Sequence, residues 1–187
     1  MDQIDIEELL VSYRVPDDFL RIASVLAPGA AVPRGVRQAP WAAVAVRTQR
    51  RGEVARELAA RMQADVGSVG VIVPEALHDD VAADLGPVAT EAEESLSSGV
   101  NLLGLEAIKG LEFDAAVVLE PRLILGERPG GGVGGLYTAL TRSTRALAVV
   151  HAEPLPDVLA DASDLRPVPE AGAADAWAAG HRISTLE

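Results

Sequence analysis

Two short blocks of this chain hold the residues best suited to chemistry: Lys109-Gly110-Leu111-Glu112-Phe113-Asp114 and Leu136-Tyr137-Thr138-Ala139-Leu140-Thr141-Arg142-Ser143. The first sets a glycine and two carboxylates at the mouth of an apolar strand, Ala115-Ala116-Val117-Val118-Leu119. The second ends a helix on one arginine, just before the apolar run Ala146 to Val150. Glycine, acid and arginine at the ends of strands and helices are the parts with which α/β proteins hold a nucleotide phosphate. Arginine offers a fixed, bidentate fork for the charge that develops on a γ-phosphate. The chain contains no G-x-x-x-x-G-K-[ST] loop, so the usual phosphate cradle must come from elsewhere.

The elements that must position these blocks read as an alternation of strands and helices. Residues 8–13 form a short strand, and Val15-Pro16-Asp17-Asp18 opens a helix to about Leu26, with its acids in the first turn. Residues 28–40 carry Pro28, Gly29, Pro33, Gly35 and Pro40 and read as a loop. Ala42 to Arg47 is a strand, and Gly52 to Ala64 has helical spacing at Val54, Leu58 and Met62. Val69 to Val73 is a strand, followed after Pro74 by a helix to about Leu85. Val100 to Leu105 and Ala115 to Leu119 are strands separated by a turn over 109–113. A Gly/Pro-rich loop over 121–133 leads into a helix from Gly134 to Ser143 and a last strand from Ala146 to His151. The strands are unbroken apolar runs rather than alternating ones, the mark of a parallel sheet covered on both faces. The expected fold is therefore an α/β domain over 1–152. Residues 153–187, rich in Pro, Ala and Asp and without periodicity, read as a flexible tail that Trp177 could dock.

Composition narrows the function. With 187 residues and 49% hydrophobic content the chain can bury a sizeable core. It has no cysteine, which excludes disulfides and cysteine-based zinc sites. His78, His151 and His181 lie far apart with no E-x-x-H pairing, so no metal centre is expected. The acid group Glu91, Glu93 and Glu94 reads as solvated loop. The acidic N-terminus and the lack of a long apolar run argue against a signal peptide or a membrane span, which leaves a cytoplasmic location as the expectation. The net charge of −12 has the wrong sign for a domain that grips nucleic acid through its phosphates. Lys109 is the only lysine among sixteen basic residues.

The two blocks resemble motifs V and VI of superfamily 1 helicases of the UvrD/Rep type, whose patterns run K-G-L-E-F and L-Y-V-A-L-T-R-A. A third block, Leu10-Val11-Ser12-Tyr13-Arg14-Val15-Pro16, resembles motif IV, usually N-Y-R-[ST]. The three stand in the family's order and span residues 9–152. The proline two places after Arg14 and the aspartate after Phe113 resemble the helicase IV/HelD branch in particular. The resemblance implies a RecA-like, second motor domain (the 2A type) that lacks its own phosphate loop. It also implies ATP with Mg²⁺, bound mainly by an N-terminal RecA-like partner domain that carries the Walker A lysine. Residue by residue, it makes Arg14 and Arg142 the arginines that reach across the cleft to that ATP. Tyr13 becomes the aromatic stacked on the adenine, Glu112 the carboxylate that bonds the ribose, and Gly110 the site of close backbone approach.

Plainer readings stand beside these. Arg14 and Arg142 could be surface arginines paired with Asp17 or Glu120, Tyr13 a half-buried residue at a strand end, and Gly110 an ordinary turn glycine. Asp114 reads as a cap at the start of its strand, and Thr141 and Ser143 as hydroxyls on a helix surface. The chain also departs from the family. Where the helicases place Thr-x-His before the motif V lysine, it has Gly104-Leu105-Glu106-Ala107-Ile108, and Glu106 would repel a phosphate strand. Nucleic acid is thus expected to bind weakly if at all, and RNA polymerase becomes a candidate partner through the HelD resemblance. Two functions remain open: a motor domain that completes an ATP site in trans, and a non-enzymatic protein-interaction module. The start at Met1, one strand before the first block, reads as that of a fragment of a longer protein.

Overall fold

The computed structural model describes residues 11–91 and 99–181, with the backbone alone at 88–91. The expected strand residues 8–10, the acids Glu93 and Glu94, and residues 182–187 lie outside the described residues. A two-residue ribbon pairs β1 (Val11–Ser12) in parallel with β2 (Arg34–Gly35). The main sheet holds β3 (Ala43–Arg47), β4 (Val69–Val73), β5 (Ala89–Glu91), β6 (Val100–Gly104), β7 (Phe113–Leu119), β8 (Ser143–His151) and β9 (Leu165–Val168). Their spatial order is β5-β6-β4-β7-β8-β3-β9, and every pairing is parallel.

Helices cover both faces, so the central strands have no solvated side. One face packs against α2 (Arg51–Val66), α3 (His78–Leu85) and α7 (Ala173–Ala178). The other packs against α1 (Asp17–Ser24), α4 (Pro121–Gly126), α5 (Gly132–Leu140) and α6 (Asp157–Ala160). Within β7, Ala115, Val117 and Leu119 point into the first layer, and Ala116 and Val118 into the second. This two-sided burial is the reason the strand is apolar without a break. The α/β expectation is therefore met by a three-layer domain.

The segment after residue 152 differs from the flexible tail expected of it. Leu165–Val168 adds a strand beside β3, Leu159 packs under the sheet, and Trp177 is fully buried. Trp177 stacks on Trp41 with ring centroids 5.5 Å apart and planes 11° from parallel. Docking of Trp177, with β9, holds residues 153–181 as part of the domain. Two more stretches read as loop also hold structure: the β2 pairing inside 28–40 and α4 inside 121–133.

Candidate functional site

Three segments distant in sequence meet at the N-terminal edge of the sheet. Glu112 immediately precedes β7 and Arg142 immediately precedes β8; the two strands pair, with Phe113 opposite Ser143. The Phe113 amide donates to the Arg142 carbonyl at 3.0 Å, which locks the two blocks together. Arg14 arrives on the turn between β1 and α1. That turn is pinned from three sides: the Asp17 amide donates to the Arg37 carbonyl, the Gly35 amide to the Asp17 carboxylate, and the buried Asp18 accepts from the Ala39 amide. Gly35 is needed there, because a Cβ would lie 2.4 Å from the Asp17 nitrogen.

Arg14 and Glu112 form an ion pair at 2.5 Å across 98 residues of chain, and both side chains are nearly half exposed. Arg142 is half-buried beside them. Its Nε donates to the Thr138 carbonyl at 3.2 Å and one terminal nitrogen to the Leu111 carbonyl at 3.1 Å. Burial lowers the Arg142 pKa, the nearby Arg14 lowers it further, and Glu112 pulls the other way. The group is still a cation at any ordinary pH. The segment Leu111-Glu112 therefore holds both arginines, one through a main-chain oxygen and one through a carboxylate. The partners weighed from sequence are taken elsewhere: Asp17 pairs with Arg21, and the buried Glu120 pairs with Arg51 at 3.2 Å.

The remaining residues singled out from sequence fall into place around this cluster. Tyr13 is 78% exposed rather than half-buried, with its ring free beside Arg14. Gly110 adopts a φ of +81°, a left-handed conformation that disfavours other residues, and open space surrounds its missing Cβ. Alanine there should lower unfolding free energy by about 1–2 kcal/mol from backbone strain alone, and asparagine by less. Urea denaturation of the two variants checks this, and equal stability of Gly110→Ala would show that the turn relaxes. Asp114 accepts from the Ser68 amide and hydroxyl, both at 2.9 Å, and so ties the starts of β4 and β7 together. Thr141 and Ser143 are buried, not on a helix surface as expected. The Thr141 hydroxyl donates back to the Tyr137 carbonyl at 2.9 Å, because the helix ends there and leaves carbonyls open. Lys109 pairs with Glu106 at 2.8 Å.

Some contributors escape sequence reasoning. Arg37 donates to the Arg14 carbonyl at 2.8 Å and steadies the turn that carries it. The Thr138 and Leu111 carbonyls that orient Arg142 are main-chain atoms, for which residue type carries no signal.

The opposite, C-terminal edge has a different character. The turn between β3 and α2 is a strand–loop–helix position of the kind at which α/β folds place phosphates. Here it is closed by Arg51 on the fully buried Glu120, whose carboxylate also accepts from the Ala152 amide at 2.6 Å. A cavity of about 480 Å³ lies near this edge, lined by Arg47, His151 and Asp157 over an apolar floor that includes Leu155, Leu159 and Leu165. Among the described residues no cluster of histidines and carboxylates could hold a metal ion. None of the described helices is long and apolar enough to cross a membrane.

No protein-family model matches the chain, and no curated protein matches it. Its fold is similar to a solved structure, the C-terminal domain of a possible DNA helicase from Lactobacillus plantarum WCFS1. The two superpose with a TM-score of 0.65 at 20% identity, over 83% of this chain and 98% of that one. The likeness bears on the fold: a three-layer α/β domain built on a parallel sheet.

Proposed function

We propose that this chain is the second motor domain of an ATP-dependent helicase or translocase of the UvrD/Rep-like type. The observation that carries the reading is the convergence of Arg14, Glu112 and Arg142, from three separated blocks, at one edge of the sheet. The fold's likeness to the C-terminal domain of a possible helicase supports it. In this reading an N-terminal RecA-like domain supplies the Walker A lysine and the acids for Mg²⁺, and ATP binds mainly there. This chain presents its edge to the cleft. Arg142, held by two carbonyls, offers a preset cation to the terminal phosphate, and Arg14 offers a second. Tyr13 stacks on the base and Glu112 takes a ribose hydroxyl. Both arginines reach a phosphate only when the cleft closes, so nucleotide draws the two domains together and hydrolysis releases them. The work done with that motion would be movement along nucleic acid or, in a HelD-like protein, remodelling of RNA polymerase.

The chain assayed alone should show no ATP turnover, and assembly with the Walker A domain should restore it. In that assembly Tyr13→Ala should raise KM for ATP about tenfold with kcat within a factor of two, since a lost stacking contact is worth about 1–3 kcal/mol. An unchanged KM would remove Tyr13 from the base site.

A second reading, a protein-interaction module without ATP turnover, is favoured by one feature. Glu75, Glu106 and Glu127 gather with His78 and Arg128 around a cavity of about 460 Å³ on a chain of net charge −12. Such a surface suits a basic protein channel. Retention of purified RNA polymerase by the chain, lost with Glu106→Lys, would favour the module over the motor if turnover is also absent from the assembly.

A further inference from the structure

We infer that Glu112 serves as an internal stand-in for phosphate, so that Arg14 must give up its own carboxylate before it can hold a polyphosphate. The inference rests on the motor reading for its biological setting and on geometry for its substance. Arg14 and Arg142 flank the same two residues, yet they are held in different ways. Arg142 is bound through the carbonyls of Thr138 and Leu111, neutral acceptors that orient the guanidinium without pairing its charge, and Glu112 acts on it only as a weaker, more distant charge. Arg14 is bound through a full negative charge at 2.5 Å. An incoming polyanion therefore meets one available cation and one already neutralised.

The pair is built to exchange. Both side chains are nearly half exposed, so water and solutes reach them and the ion pair is weak. The backbone beneath Arg14 is held independently of that pair, by Arg37 on the Arg14 carbonyl and by Asp17 on the Gly35 amide. Breaking the Arg14–Glu112 contact thus frees a side chain without loosening its turn. Once phosphate displaces it, the Glu112 carboxylate is repelled from the anion and is free to accept a hydrogen bond from a neutral hydroxyl. One residue then performs two successive tasks: it keeps Arg14 neutral in the open state, and it turns to a neutral group in the loaded one. The direct consequence is that Glu112 weakens the affinity of this edge for phosphate.

Inorganic tripolyphosphate tests this on the chain as it stands, because that ligand has no ribose and no base. Calorimetric titration at fixed low salt should give about fivefold tighter binding for Glu112→Gln than for the wild type, the scale of one exposed ion pair. In a double-mutant cycle the gain should vanish when Arg14→Gln is added, since it passes through that arginine. Asp161→Asn, a charge-matched change at an exposed residue just beyond α6, should leave binding unchanged. Three results would overturn the proposal: Glu112→Gln binding no tighter than wild type, no measurable binding by Glu112→Gln, or a gain that persists without Arg14. Failure of the motor reading is a separate event, seen as no ATP turnover in the assembly with a Walker A domain, and it leaves this exchange standing or falling on the titration alone.

Discussion

Replacing Arg142 by alanine in the assembled motor should lower kcat for ATP by about three orders of magnitude, the lower end of what an arginine placed on a transferring phosphate contributes. The expectation follows from how the side chain is held. Its two protein contacts are carbonyl oxygens, which fix the plane of the guanidinium and leave its charge for a ligand. Burial and the neighbouring Arg14 already disfavour the cation, so an arriving anion gains more there than it would at a solvated arginine. Lysine should not rescue: its point charge cannot bond the Thr138 and Leu111 carbonyls and present a fork at the same time. Affinity for ATP should change far less than kcat, because the contact matters most as charge develops on the γ-phosphate. Loss of the two hydrogen bonds should cost only about 1–3 kcal/mol of stability, so the variant remains folded at 25 °C. Single-turnover hydrolysis with a circular-dichroism check on folding decides it. An Arg142→Ala assembly that turns over at the wild-type rate would remove this residue from the chemistry.

The central sheet was legible because physics leaves little choice for a strand buried on both faces. Val69 to Val73 and Ala115 to Leu119 are apolar throughout, as no exposed strand would be, and they are too short for a buried helix. The edges were not legible for the same reason turned around. Leu165-Arg166-Pro167-Val168 contains a proline and an arginine, which read as loop; an edge strand tolerates both, since its outer side needs no ladder hydrogen bonds. Helix α4 hides because Pro121 starts it, a position where a missing amide costs nothing, while the glycines beyond it dominate the local composition. At the site, the blocks containing Arg14, Glu112 and Arg142 were visible as motifs, yet their pairing was not. Proximity in sequence suggested Asp17 for Arg14, but Asp17 is engaged with Arg21 on its own helix face and with the Gly35 amide. A contact between residues 98 apart depends on the register of β7 against β8 and on the β1–β2 ribbon, and neither is written locally.

Truncating Trp177 to alanine should be the most destabilising single change outside the central strands, at about 3–5 kcal/mol. For a chain of this size that corresponds to a fall in Tm of about 10 °C. The indole is fully buried and stacks on Trp41, whose other contacts include His181 at 4.5 Å and the Arg145 guanidinium at 5.6 Å. This aromatic cluster is where α7 meets α2 and the start of β3. Its removal leaves a cavity that short, Ala-rich α7 has no side chain to fill. The last strand depends on it as well, since among the described residues β9 pairs with β3 alone and connects directly to α7. Phenylalanine at 177 should cost less than half as much. The ring retains most of the stack, and the indole N–H it removes has no acceptor among the described residues. Two readouts separate a docked segment from a tail. Thermal unfolding should show the Tm loss, and limited proteolysis should cut Trp177→Ala after about residue 155 while sparing the wild type. If Trp177→Ala melted with the wild type and resisted protease equally, residues 153–181 would contribute nothing to the domain, and β9 would be an ornament on a sheet complete at β3. The stacking geometry argues for the opposite: an edge strand of four residues, one of them proline, is too short to hold itself, and the tryptophan is what keeps it in place.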